Sequence, residues 1–198
     1  MSAFLLELAF GPVQGFINAA RRSRDLWAGS HLLSEVARAA GKSLLADGAE
    51  LIYPLRSRVL EERDHESSNL SNVLLARIAD CDAARAASVV ARAQQAARDW
   101  LGSTACAAWD DWTRAGVALR KVIWTAQVDD ALETYGAWAE ETDAGYRDAY
   151  DRVKSALAAR KNTRDFAPMF PVGMPHPGVG VPKSSLDGLR AVSYTHLR

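Results

Sequence analysis

Three arginines, Arg21, Arg22 and Arg24, follow closely on Gly11-Pro12-Val13-Gln14 in the stretch FGPVQGFINAARRSRDLWAGSHLL. The chemistry this arrangement offers is the holding of an anion. A helix that begins straight after a strand exposes backbone N–H groups with no internal partner, and its dipole favours negative charge there. Gly11, Pro12, Val13 and Gln14 are therefore candidates for a nucleotide-facing turn. The same Gly-Pro pair also serves simply to start a helix, since Pro at the first helical position loses nothing by its missing N–H. The arginines, one and three residues apart, cannot share one helix face. At least one is expected to pair with Asp25 or Glu35, and another is a candidate for phosphate, RNA or a neighbouring subunit, against the alternative of a solvated basic face. Ser30 offers a small hydroxyl to a base edge or a ribose, or else caps a second helix.

A second cationic cluster, Arg160, Lys161 and Arg164, precedes Asp165-Phe166 in ARKNTRDF. Cations in the last turn of a helix stabilise it through the dipole, and the alternative is contact with nucleic acid or another subunit. His31, His65, His176 and His196 form no metal-ligand or hydrolase constellation with the other residues, so no catalytic residue and no metal ligand is assigned. Asp110-Asp111 lies between two tryptophans in a helical stretch, and Asp129-Asp130 is read as the start of a helix, where acids suit the dipole. Trp100, Trp109, Trp112, Trp124 and Trp138 read as core or interface anchors.

These residues need elements to position them. AFLLELAF, at 3–10, is apolar except for Glu7 and reads as a strand buried on both faces. Helical spacing follows from Val13 through Phe16, Ile17 and Ala20, then from Leu26 through Leu33, Val36, Ala37, Ala40 and Leu44, with the boundary expected at Gly29-Ser30. ELIYP at 50–54 reads as a short strand, 56–69 as a loop and 70–78 as a strand. Residues 82–115 read as helix, 121–128 as a strand because of their β-branched content, and 129–160 as helix. From Pro168 onward the chain is rich in Pro and Gly and reads as irregular.

The 198 residues are 48% hydrophobic and carry 24 basic against 24 acidic side chains. That supplies a core and excludes a global basic field of the kind a free nucleic-acid binder carries. Two isolated cysteines, Cys81 and Cys106, argue against a disulfide framework or a thiolate zinc site and fit a reducing, cytoplasmic setting. No apolar run approaches the roughly 20 residues needed to span a bilayer, so neither secretion nor membrane contact is expected.

FGPVQGFINAARRSRDLWAGSHLLS resembles the opening of the first palm domain in the large subunits of type III-B CRISPR (Cmr) effector complexes. SSNLSNVLLARI, YRDAYDRVKSALAARKNTRDF and PKSSLDGLR resemble three further blocks of that family, in the same order. The resemblance implies an α+β fold, a ferredoxin-like palm related to nucleotide cyclases with large helical insertions, over 1–167. It implies ATP as substrate, lying between this palm and a second one that bears a Gly-Gly-Asp-Asp motif, and cyclic oligoadenylates as product. Mg2+ or Mn2+ would be held by that second palm, which is missing here, as is the family's His-Asp nuclease domain. The partners implied are other subunits of the complex, with guide RNA and target RNA bound through it. Residues 168–191 occupy the position of the family's zinc-binding insertion and the block after it. That segment has no cysteine and only His176, which leaves zinc doubtful. VSYTHLR, at 192–198, resembles a translated adapter and is expected to be non-native, the protein being truncated.

Overall fold

The computed structural model describes residues 2–60, 69–163 and 194–195. Strand β1 (Ser2–Gly11) is its central element. Phe4, Leu6, Leu8 and Phe10 face one side and Leu5, Glu7 and Ala9 the other, all buried. This double burial is why the run is almost continuously apolar. Helices α1 (Val13–Ala19) and α2 (Ser23–Ala46) follow, then β2 (Glu50–Tyr53), α3 (Arg56–Leu60) and β3 (Val73–Cys81). After these come α4 (Ala83–Arg114), β4 (Ala118–Leu119), α5 (Lys121–Asp129), β5 (Glu133–Glu141) and α6 (Tyr146–Asn162). Tyr194–Thr195, β6, pairs with β4.

The main sheet has the order β2-β3-β1-β5 and is antiparallel throughout. Helices α2 and α4 cover one face, where Phe4, Leu6, Leu8 and Phe10 meet Val36, Ala40 and Leu44 of α2 and Val89, Val90 and Ala93 of α4. Helix α6 covers the other, setting Ala149, Val153 and Leu157 on Leu5, Ala9, Leu75, Ala137 and Ala139. The chain is thus α+β, in three layers.

Four expectations need correction. The first helical region divides at Ala20–Arg22, not at Gly29-Ser30, and α2 runs unbroken through that pair. Gly29 is buried there because α1 crosses it: a Cβ would stand 3.1 Å from that of Phe16. Residues 56–60 form α3 rather than loop, with Val59 fully buried. The 121–128 stretch is helix, and the supposed helix over 129–160 holds β5 before α6. Asp129-Asp130 consequently ends α5 instead of opening a helix. The segment at 168–191 and Arg164 lie outside the described residues, as does most of 192–198. Among the described residues no helix is long and apolar enough to cross a membrane.

Candidate functional site

The site grows from the end of β1. The Phe10 N–H donates to the Asn72 carbonyl at 2.9 Å, and Asn72 Nδ2 donates to the Phe10 carbonyl at 2.9 Å. The entry to β3 is thereby stitched to the exit from β1. A second joint is made by Ser34, a buried residue of α2. Its Oγ accepts from the Leu70 N–H at 3.1 Å and donates to the Ser30 carbonyl at 2.9 Å. Ser71 closes a local turn by accepting from the Val73 N–H at 3.1 Å.

Between these joints and α1 lies a cleft of about 330 Å3. Val13, Phe16 and Ile17 line it from α1, Leu26, Gly29, Ser30 and Leu33 from α2, and Leu70, Ser71 and Asn72 from the approach to β3. Apolar walls with a few polar groups suit a flat ring system better than a phosphate. Ser30 Oγ, in the cleft lining, donates to Asn69 Oδ1 at 3.5 Å, the outer limit of a hydrogen bond.

The electrostatics point the same way. Helix α1 has only seven residues. At its start, Glu133 Oε2 would lie 3.6 Å from a Cβ on Gly11, and this carboxylate accepts the Tyr135 hydroxyl at 2.9 Å. At the start of α2, Asp25 Oδ2 accepts from the Arg22 N–H at 3.1 Å and the Arg21 N–H at 3.3 Å. The start of α2 therefore already holds a carboxylate of the chain itself, and Glu133 lies beside Gly11 just ahead of α1, so negative charge at both places opposes a second anion.

Of the residues expected to face a nucleotide, Val13 and Ser30 line the cleft. Gly11 is buried at the end of β1, Pro12 is half-buried ahead of α1, and Gln14 is exposed on α1. Ser30, lying inside α2, caps no helix. Arg21, Arg22 and Arg24 are exposed, and Arg24 Nε is 3.7 Å from Asp25 Oδ1. Glu35 pairs instead with Arg38, at 3.2 Å and buried, while Arg38 Nη1 donates to the Arg58 and Val59 carbonyls at 2.6 and 3.2 Å. Arg160 and Lys161 are exposed in the last turn of α6, and Arg160 Nη1 donates to the Thr163 carbonyl at 2.8 Å. The sheet stands between this cluster and α2. Of the tryptophans, Trp109 packs edge-on against Trp124, whereas Trp112 is 54% exposed and anchors nothing fully.

Sequence reasoning missed Ser34 and the Leu70–Asn72 wall as site residues, and also the stacking of Trp27 on His31 at 5.2 Å between ring centroids. Among the described residues no group of three or more His, Cys, Asp or Glu could hold a metal ion.

A buried first strand, handing its end to a helical cleft closed by an asparagine-bearing strand entry, defines an α+β component with an apolar-walled cleft at the strand end. The family model for the CRISPR-associated protein Cmr2, N-terminal, matches residues 5–112. The chain belongs to that family, the N-terminal region of the large subunit of type III-B CRISPR complexes. Membership carries with it a role as one subunit of a multi-subunit effector. No curated protein matches the sequence.

Proposed function

We propose that this chain is the first, ferredoxin-like palm of its subunit and supplies one wall of an ATP site used for cyclic oligoadenylate synthesis. Support for the palm comes from the order β1-α2-β2-β3-α4-β5 with strands arranged β2-β3-β1-β5, which is the split βαβ arrangement. The observation that carries the ATP reading is the cleft itself. It brings Val13 and Ser30 against Ser71 and Asn72, residues from two separate blocks that resemble the family. In this reading the apolar walls take the adenine ring, Ser30 and Asn69 meet its polar edge, and the triphosphate extends outward, away from Glu133 and Asp25.

In the reaction implied, the 3′-hydroxyl of one ATP attacks the α-phosphate of another and pyrophosphate leaves. The carboxylates that hold Mg2+ or Mn2+ for that step belong to the second palm of the intact protein, and this chain's share is to hold and orient a base. Arg21, Arg22, Arg24, Arg160, Lys161 and Arg164 are assigned to guide RNA, target RNA or neighbouring subunits. A second reading, a scaffold that does not bind nucleotide, is favoured by the carboxylates of Glu133 beside Gly11 and of Asp25 at the start of α2.

The test is synthesis of cyclic oligoadenylates by the full-length protein assembled with its partners, given ATP, divalent metal and target RNA. Ser30→Phe, which fills the cleft from its rim, is expected to cut product formation by about tenfold or more, equivalent to at least ~1.4 kcal/mol, while assembly persists. Unchanged synthesis in that variant would leave the scaffold reading.

A further inference from the structure

Glu7 sits at the middle of β1 with its side chain 1% exposed, between Leu75 of β3 and Ala137 of β5. Its Oε1 accepts from Lys154 Nζ of α6 at 2.6 Å, and its Oε2 has no partner among the described residues. Lys154 also lies over the Tyr150 ring, 5.3 Å from the centroid, with its own side chain 44% exposed. A carboxylate so placed is a poor way to gain stability, because the loss of water around it offsets most of the attraction. What such a pair can supply is discrimination between alternative packings.

Helix α6 has such alternatives. Its fully buried residues are Ala149, Val153 and Leu157, a narrow stripe repeating every four residues on an otherwise polar helix. They rest on Leu5, Ala9, Leu75, Ala137 and Ala139, three of them alanines that offer little relief to hold one register. Slipping α6 by one turn in either direction keeps two of the three apolar positions in place. It does not keep the cation. The residue brought opposite Glu7 would be Tyr150 or Ala158, and the carboxylate would be left buried without a countercharge. The other cationic link, from Arg152 Nη2 to the Glu140 carbonyl at 2.5 Å, is exposed, so water can replace it when the helix moves. Water has no such access to Glu7.

We infer that Glu7 and Lys154 form a register latch that selects one position of α6 on the second face of the sheet. Four residues of helix span about 6 Å, so the latch fixes where Arg160, Lys161 and everything following them leave the domain. This inference is independent of the nucleotide reading and stands or falls on the position of one helix.

The experiment is a pair of spin-label distances on the 198-residue chain carrying Cys106→Ser. One label is placed at Ala156→Cys, exposed on α6 and still on its outer face after a one-turn shift, and the second at Ala91→Cys of α4 or Lys42→Cys of α2, so that a shift along the α6 axis alters at least one distance. The native pair is expected to give one narrow distance in each case. Lys154→Met should broaden it or add a second population displaced by about 6 Å, Lys154→Arg should restore the single distance, and Glu7→Met/Lys154→Met should show both registers. Native distances retained in Lys154→Met and in the double variant would overturn the latch. If the double variant does not fold, equal broadening in Lys154→Met and Lys154→Arg would overturn it as well, because the charge would then be irrelevant.

Discussion

Ser34 carries more of the cleft than its size implies. Its hydroxyl satisfies the Leu70 N–H and the Ser30 carbonyl together, tying α2 to the strand entry 36 positions away. Replacing it by Ala removes the acceptor while Leu70 stays partly buried, so Ser34→Ala should lower unfolding stability by about 1–3 kcal/mol in urea titration. A change under ~0.5 kcal/mol would mean that water replaces the hydroxyl. Lys154 gives a second prediction at this scale. Its hydrogen bond to Glu7 raises its pKa above the ordinary 10.5, with burial opposing and the Glu7 charge assisting. A raised folded-state pKa contributes stability fully below the unfolded value, and that contribution is lost as pH rises through the folded one. Native protein should therefore exceed Lys154→Met in melting temperature up to about pH 10.5, and the margin should shrink above it. A margin constant to pH 12 would contradict the ion pair. Val13 and Ser30, which line the cleft, were legible as candidates because they stand in a recognisable block beside a strand end. Ser34 was not, since a mid-helix serine signals nothing until its distant partner is known.

At the scale of elements, two of the misread segments have opposite causes. ETYGAWAEE is poor in β-branched residues and rich in Ala and Glu, which favour helix. Its small residues are there because helices press on both sides of β5: a Cβ on Gly136 would collide with Val90 Cγ1 of α4, and Ala137 and Ala139 lie under α6. Packing overrode propensity. KVIWTAQV carries strand-like residues, yet it forms a short helix whose Trp124 meets Trp109 of α4 edge-on, 5.8 Å between centroids. Val90 is stiff and buried, so Gly136→Val should force β5 and α4 apart and cost about 1–3 kcal/mol, measured by denaturant unfolding. A neutral result would show that α4 yields easily.

For the whole molecule, the buried first strand, the short second strand and the long helix over 82–115 were all readable from hydrophobic pattern and length. The sheet order was not, because pairing is decided between segments far apart in sequence: β1 lies between β3 and β5, separated from them by more than sixty residues of chain. Stability is also uneven across the molecule. Every fully buried residue of α4, from Ala86 to Ala97, lies in its first half, and none lies in its second. Amide hydrogen exchange is expected to be slowest over Ala86–Ala97 and to quicken beyond Leu101. Uniform protection along the helix would show that the distal half is held as firmly as the proximal one.

That uneven anchorage gives α4 a mechanical character. A helix is stiff along its length, and the part beyond Ala97 runs on to Arg114, roughly 25 Å, before the turn at Gly116. Whatever grips the exposed Trp112 end acts with that moment arm about a fulcrum on the sheet. A modest sideways push there becomes torque on the seam where Val90 presses against Gly136, and hence on the strand that borders Gly11 at the foot of the cleft.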